Sequence, residues 1–463
     1  MSDTLMISVS GMRGHVGTDL TPELVARYAA ALGAWSRSGQ SVRPPAGSIH
    51  PSVVLGRDAR TSGPMFAHAA TAGLMSVGVD VIDLGIVPTP TVQLAVEHHR
   101  AGAGLILTAS HNPIEWNALK FVGPDGIFLD AEAGRKVREL AETGPPRAGW
   151  AEVGTVREDP DAITRHLDAI LALPVINVDA IRRRRFRVAL DCVRGAGATA
   201  MLPLLERLGC EVRGINLETD GRFPRAPEPI PENLGELSRL VKDAGADVGL
   251  AVDPDVDRLA LVDETGRAIG EDYTLAFAVQ AVLDGRLSAA TTPTVVANLS
   301  TSLVVEDAAR SRGARFIRAP VGEANVARAI RDEGALIGGE GNGGVMLPAL
   351  HIGRDAPLGL ALILHLLATT GVTLSHLVAA APRYTIVKAK GPRGPDLRQL
   401  YKRLRQRFPD ASADEQDGLR LAWPDSWLHV RPSGTEPIVR LIAEAPTPAA
   451  AEALLVTGRE LLY

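Results

Sequence analysis

The stretch DPDVDR, residues 253–258, places three carboxylates, Asp253, Asp255 and Asp257, at alternate positions directly after a strand-like run at 247–252. On an extended chain they project to one side. Two unit charges about 4 Å apart cost about 4 kcal/mol at an effective dielectric of roughly 20, so such crowding beside a buried strand calls for a cation. Hard oxygen ligands select Mg2+ or Ca2+ over Zn2+. The same aspartates match positions one, three and five of an EF-hand loop, with Glu264 at position twelve. Against that reading, Arg258 stands where the loop needs glycine, and the flanks read as strands rather than helices. One Mg2+ is the expected ion, with a bare acidic turn as the alternative.

Three other stretches also end strand-like runs, where open α/β sheets bind ligands. TASHNP, at 108–113, follows Ala103–Leu107 and offers Ser110 and His111. Adjacent residues on a strand face opposite ways, so the pair is no dyad by itself, and taken alone the hexapeptide reads as a Ser/Asn turn. GGEGNGG, at 338–344, lets backbone approach a ligand closely while Glu340 and Asn342 offer groups suited to sugar hydroxyls; a plain flexible turn fits as well. In RPSGTEP, at 431–437, Ser433, Gly434 and Thr435 supply hydroxyls and backbone N–H groups, and Arg431 with Arg440 adds guanidinium donors. That combination suits a phosphate nest or a solvated hairpin turn.

The elements that must position these stretches repeat one rhythm: a β-branched apolar run, a Gly/Asp/Pro turn, then a helical pattern. It marks α/β units. Strands are predicted at 52–58, 79–85 and 104–108, with helices near 63–76 and 90–99; then at 186–191, 211–216 and 247–252; then at 259–262, 294–299, 315–318 and 335–337. From about 374, helices near 396–408 and 447–460 flank short strands at 427–430 and 438–442, an antiparallel α+β pattern. The expected architecture is three similar α/β domains with mixed sheets, at 1–155, 156–256 and 257–372, and a smaller C-terminal α+β domain at 373–463. Residues 37–51 read as a loop and 141–159 as a linker.

At 463 residues the chain exceeds one hydrophobic core. A net charge of −5 argues against a nucleic-acid surface, and the run Arg182–Arg185 reads as a solvated edge. Two cysteines, Cys192 and Cys210, make no disulfide framework. The start has no charged-then-apolar leader and no run of about 18 apolar residues occurs, so a soluble cytoplasmic protein without membrane contact is expected.

In the order TASHNP, DPDVDR, GEGNGG, RPSGTEP, and with Ser10-Gly11-Met12-Arg13-Gly14 near the start, the chain resembles the α-D-phosphohexomutase family over nearly its whole length. The resemblance implies four domains around a central cleft and an intramolecular phosphotransferase of the isomerase class acting on small hexose phosphates. Ser110 would carry the phosphoryl group, hexose bisphosphate would prime it, and Ser110 with the three aspartates would hold Mg2+. Phosphoserine brings about −1.5 to −2 and the aspartates −3, so roughly −2.5 to −3 remains beside Mg2+. Arg13, Lys120 and Arg258 are the expected cations, with Lys120, its pKa lowered, moving the proton at the sugar hydroxyl. Arg13 and His111 complete the implied catalytic set. Arg258, Glu340, Asn342, Arg431, Ser433, Gly434, Thr435 and Arg440 form the implied substrate set.

One phosphate nest requires the sugar to turn around between half-reactions, and a mobile fourth domain on a linker near 371–378 would allow it. Where many relatives carry serine and a final histidine in the sugar loop, this chain has Asn342 and Gly344. GEGNGG, with Pro320-Val321-Gly322-Glu323 upstream, looks most like phosphoglucosamine-mutase-like members, with phosphomannose or phosphoglucose as the alternative. A non-catalytic phosphosugar-binding protein and a hydrolase are the readings from other classes; a homodimer is compatible with all of them.

Overall fold

A computed structural model describes residues 5–8, 11–38, 50–285, 292–392, 396–433 and 438–462. Its strands form four sheets. The first contains β1 (Met6–Ser8), β2 (Gly11–His15), β3 (Ser52–Arg57), β4 (Asp80–Ile86), β5 (Ala103–Leu107), β6 (Trp116–Val122) and β7 (Val156–Glu158), in the order β1-β2-β6-β5-β3-β4-β7. The second holds β8 (Arg187–Asp191), β9 (Glu211–Ile215), β10 (Val248–Val252) and β11 (Leu259–Asp263), ordered β11-β10-β8-β9. The third holds β12 (Thr294–Asn298), β13 (Arg315–Ala319), β14 (Ile337–Glu340) and β15 (Gly344–Met346), ordered β13-β12-β14-β15.

One four-strand plan recurs in all three. The first strand is central, the second pairs parallel on one side, the third pairs parallel on the other, and a fourth returns antiparallel beside the third. The parallel strands β5 (AGLIL), β10 (VGLAV) and β12 (TVVAN) are buried at every position, as strands covered on both faces must be. Crossover helices such as Gly63–Met75 and Thr89–His99 supply the cover.

This plan corrects the sequence reading at one strand. The run at 259–262 was expected to open the third unit; instead β11 pairs with β10, Val252 opposite Leu259, and closes the second sheet. The chain reverses between them because the aspartate stretch is a turn, with Val256 in the left-handed region at φ 62°. The return strand β15 has only three residues after a glycine-rich turn, and β6, seven residues long, follows a polar turn and mixes Asn and Lys with its apolar residues, so neither shows in the periodicity. In the predicted linker at 141–159, β7 pairs with β4 at the edge of the first sheet. Of the predicted loop at 37–51, the helix Pro22–Ser38 takes the start, and 39–49 lie outside the described residues.

The fourth sheet is wholly antiparallel: β16 (Thr385–Pro392), β17 (Ser412–Asp414), β18 (Leu419–Ala422), β19 (Trp427–Pro432) and β20 (Ile438–Ala445), ordered β16-β20-β19-β18-β17. Helices Leu397–Arg407 and Pro448–Glu460 pack on it through Leu400, Leu404 and Leu455.

The second and third units share one core around the helix Ala356–Thr370, APLGLALILHLLATT, which is buried without a break from Ala356 to Leu367. A helix apolar all round belongs inside a large core. The helix Leu374–Ala380 joins the same core through Leu374, Leu377 and Val378, so the linker expected near 371–378 is mostly packed helix, and only residues 381–384 connect it to β16. The fourth sheet is fastened to the third unit by Glu444 on β20. That buried carboxylate accepts from the Ser302 hydroxyl, from Leu303 N (2.8 Å) at the start of the helix Leu303–Arg310, and from Trp427 Nε1 (2.5 Å). Tyr384 Oη adds a bond to Asp307 Oδ2 at 2.8 Å. Among the described residues no single helix is long and apolar enough to cross a membrane.

Candidate active site

In each of the three repeats the chain turns from the third strand into the returning fourth at the same corner. Those turns carry TASHNP between β5 and β6, DPDVDR between β10 and β11, and GNG between β14 and β15. They open on one cleft of about 870 Å³, whose lining includes Arg13, Ser110, His111, Lys120, Arg258, Glu340, Asn342 and Arg440.

Ser110 sits beyond a fully buried strand and holds a left-handed backbone, φ 49°. Thr108 fixes this turn: its hydroxyl accepts from Ser110 N (2.9 Å) and donates to Asp58 Oδ2 (2.7 Å). The Ser110 hydroxyl, on a residue only 7% exposed, then donates to Asp253 Oδ2 at 2.8 Å across the boundary between the first and second sheets.

The three aspartates do not line up on an extended strand. The turn at Val256 gathers them, all fully or almost fully buried, until their ligand oxygens lie within 4.8 Å of one another. Cations surround them. Lys120 Nζ is 2.7 Å from Asp255 Oδ2 and 3.8 Å from Asp257 Oδ2, Arg354 Nη2 is 2.5 Å from Asp257 Oδ2, and Arg258 Nε lies 3.6 Å from Asp257 and 3.9 Å from Asp253. Thr89 donates to Asp255 Oδ2 at 2.8 Å. Even so, Asp255 Oδ1 and Asp257 Oδ1 are buried with no hydrogen-bond partner. An all-oxygen set with two orphaned carboxylate oxygens fits a hard cation.

The electrostatics follow from burial and neighbours. Burial, Asp257 and Asp255 push the Asp253 carboxyl well above its ordinary value. Burial acts the same way on Asp255, but the contact with Lys120 outweighs it and the net shift is downward. Burial pulls Lys120 down, yet Asp255 and Asp257 together raise it, contrary to the lowered pKa expected from sequence, because its nearest neighbours are carboxylates rather than cations. Arg258 first, then burial and Arg13, drive His111 down to about 2, so its imidazole is neutral.

Glu340 ends β14 and is 4% exposed. Its Oε1 accepts from Asn298 Nδ2 (2.8 Å) and Gly322 N (3.1 Å), and its Oε2 accepts from Arg354 Nη1 (2.8 Å), which leaves Oε2 one acceptor direction. Asn342 turns its carbonyl to Gly344 N at 3.2 Å. Gly343, at φ +86°, must be glycine for a second reason: a Cβ there would stand 2.3 Å from Leu259 O, the backbone that opens β11.

Of the phosphate-nest residues, Arg440 lines the cleft and Ser433 is buried, while Gly434 and Thr435 lie outside the described residues, as does Ser10. Arg431 stands opposite Arg440 in the β19–β20 register, with Nε 2.8 Å from Asp417 Oδ2. Arg13 donates to Asn112 Oδ1 at 3.2 Å, beside the serine turn.

Sequence reasoning passed over Arg354. It touches Asp257 in the metal loop, Glu340 in the sugar loop and Glu323 (Nε to Oε2, 3.1 Å), and these carboxylates raise its pKa well above the ordinary value despite burial. Its only sequence signal is an Arg-Asp pair directly before a largely apolar helix.

Models of the phosphoglucomutase/phosphomannomutase family match in order: α/β/α domain I at residues 5–147, domain II at 164–266, domain III at 270–384 and the C-terminal domain at 388–459. The chain is 38% identical to a "Phosphoglucomutase/phosphomannomutase" of Thermococcus kodakarensis, covering 98% of this chain and 97% of that one. It is 37% identical to a "Probable phosphoglucosamine mutase" of Methanopyrus kandleri, covering 94% and 93%. The crystal structure of a phosphoglucomutase/phosphomannomutase family protein from Burkholderia thailandensis superposes with a TM-score of 0.86 at 25% identity, over 99% of this chain and 96% of that one. Matched domain by domain and aligned end to end with such relatives, a chain that brings its serine, aspartate and glycine-rich turns to one cleft belongs to the phosphoglucomutase/phosphomannomutase family.

Proposed function

We propose that this phosphohexomutase interconverts hexose 6-phosphate and hexose 1-phosphate through phosphorylated Ser110 and a bisphosphorylated sugar, with glucosamine phosphate as its leading substrate. The observation that carries the proposal is the 2.8 Å bond from the Ser110 hydroxyl to Asp253, inside a carboxylate set with two orphaned oxygens. Mg2+ held by Ser110 Oγ and the three aspartates supplies Lewis-acid polarisation and charge neutralisation when bound. The sugar hydroxyl attacks phosphorus and gives up its proton, the bond from phosphorus to Ser110 Oγ breaks, and the serine oxygen takes up one proton in return. Lys120, held protonated between Asp255 and Asp257 and lining the same cleft, would give its proton to the serine oxygen and regain one from the sugar hydroxyl, and neutral His111 adds no positive charge beside it. Arg13 and Arg258 balance the phosphoryl charge. Arg440, with Arg431, Ser433, Gly434 and Thr435, holds the phosphate that is not reacting.

Glu340 contributes its one remaining acceptor direction to ring hydroxyls, with Arg354 holding the carboxylate in place. Glucosamine is favoured by the GEGNGG loop, by the name of the Methanopyrus relative and by Gly322 N, which ties the Pro320–Glu323 segment to Glu340. None of the four motifs is dedicated to the C2 substituent, so glucose and mannose phosphates should also turn over, within about 10³ in kcat/KM of glucosamine phosphate. The cytoplasm is the proposed compartment, hexose bisphosphate the priming species, and two cysteines without a disulfide agree with that location.

The test is turnover of purified protein with a panel of hexose 1-phosphates and 6-phosphates and a trace of hexose bisphosphate, with and without excess chelator. Turnover led by glucosamine phosphate, abolished by chelation and restored by Mg2+, is expected. A protein that binds these sugars but turns over none of them would be the binding protein instead, and full activity in chelator would remove the metal from the scheme.

A further inference from the structure

Arg60 plays no part in the proposed chemistry, yet it is wholly buried at the heart of the serine turn. Its five N–H groups meet five oxygens. Nε donates to Asp58 Oδ2 (3.0 Å), Nη1 to the carbonyls of Pro113 (2.6 Å) and Trp116 (2.9 Å), and Nη2 to the carbonyls of Ser110 (2.6 Å) and Asn112 (2.7 Å). Four carbonyls from one irregular turn therefore point at one guanidinium. A rigid planar fork can do this where a lysine ammonium cannot. The same Asp58 receives the Thr108 hydroxyl that holds Ser110 N.

That guanidinium is covered by a residue of the second unit. Phe223, in a loop after β9, stacks over it with the guanidinium carbon 5.0 Å from the ring centroid. The loop is pressed close: Gly221, at φ +69°, stands where a Cβ would lie 2.2 Å from Ala59 O. Two residues beyond Phe223, Arg225 ties the same loop to Asp191 Oδ2 (2.7 Å) and to the carbonyl of Val252 (3.2 Å), the residue immediately before Asp253. One short segment thus grips the support of the serine turn and the root of the aspartate turn.

We propose that Arg60 and Phe223 are positioning residues that act through the Ser110 turn, and that the segment from Gly221 to Arg225 sets the separation between the Ser110 oxygen and Asp253. The guanidinium fixes the left-handed serine, the aromatic ring seals it from water and couples it to the second unit, and neither group touches the sugar. The inference rests on Ser110 as the phosphoryl carrier.

Arg60→Lys keeps the charge and loses the fork; Phe223→Leu keeps the bulk and loses the π face. In single-turnover transfer from phosphorylated Ser110, Arg60→Lys should fall at least 100-fold and Phe223→Leu about 10-fold, each with KM within threefold of wild type. The double variant should be no slower than Arg60→Lys alone, because the ring acts through the guanidinium. Amide hydrogen exchange across 108–116 should quicken in both single variants, a readout independent of turnover. Wild-type transfer rates in either variant, or unchanged exchange across that turn, would overturn the proposal. If Arg60→Lys fails to fold, Phe223→Leu, altered in a half-buried loop, decides alone. A wild-type protein with no mutase turnover would count against the mutase reading, while exchange in the variants would still decide whether Arg60 and Phe223 hold the turn.

Discussion

Ser110 combines a left-handed backbone, near-complete burial and a hydroxyl bonded to a carboxylate of another unit. A non-glycine residue in that region costs of order 1–3 kcal/mol and persists only where surroundings over-determine it. Thr108, Asp58 and Arg60 provide that determination here. Purified protein is expected to carry about 80 Da of extra mass on the peptide containing Ser110, one phosphoryl group, and Ser110→Ala should fold normally and lose turnover. Full activity from an unphosphorylated protein without bisphosphate would exclude a serine carrier. At this scale the sequence is informative where chemistry clusters locally: the three aspartates announce a cation site by type and spacing, whereas Ser110 alone reads as part of a turn and stands out only through the family resemblance. Arg354 could not be found that way, because its partners Asp257, Glu323 and Glu340 are near it only in space. Arg354→Ala leaves those buried carboxylates without their shared cation, and unfolding free energy from denaturant titration should fall by about 3–5 kcal/mol.

The elements explain why these residues meet. A parallel strand buried on both faces ends at a turn, and an antiparallel return strand pulls that turn toward the cleft three times over. Apolar runs reveal the parallel strands readily, as β5, β8 and β10 show. The return strands are harder: β15 has only three residues, and β11 looks like a new beginning because the turn signal Asp253-Pro254 does not say that the chain comes back antiparallel beside β10. Val is a poor residue for φ 62°, so Val256 gives no turn signal; the buried packing around it imposes the conformation. The sugar turn has its own support in Asp272, at the start of the helix Asp272–Asp284, whose Oδ1 accepts from Ser302 N at 2.8 Å and against which Gly341 packs. Burial first, then Glu444 and Glu271, push the Asp272 carboxyl up to about 8, despite the bond from Ser302. The sign follows: between the unfolded carboxylate value near 4 and the folded value about 8, the folded protein holds more protons than the unfolded chain, so this residue makes stability decline as pH rises. Asp272→Asn keeps an acceptor for Ser302 and should flatten that decline, measured as the denaturant midpoint from pH 4 to pH 8. An equally steep decline in the variant would assign it to other groups.

At the scale of the whole molecule, the second and third units are one body around the helix Ala356–Thr370, and the first unit meets them through the serine and aspartate turns. Four-domain order was legible because each α/β unit repeats its pattern and the last breaks it. The sharing of one core was not, since a helix apolar on every side carries no mark of which neighbours it will serve. The fourth sheet stands apart. Glu444 and Tyr384 fasten it to the helix Leu303–Arg310, and the covalent link is only Ala381 to Tyr384. Four residues span at most about 14 Å. That shortness has a kinetic meaning if, on the proposed mechanism, the sugar releases one phosphate, turns and binds by the other. If the fourth sheet swings away from the cleft to allow this, its return is an intramolecular event whose effective concentration is set by the tether and falls roughly as the −3/2 power of tether length. Tripling the connection with eight Gly/Ser residues should therefore slow reclosure about fivefold. The bisphosphate, which competes between recapture and escape, should appear in solution correspondingly more often per turnover, as read by isotope-labelled sugar leaving the enzyme before product forms. An unchanged escape ratio would mean that side-chain contacts such as those of Glu444 and His429 with the third unit, rather than the tether, keep the fourth sheet within reach.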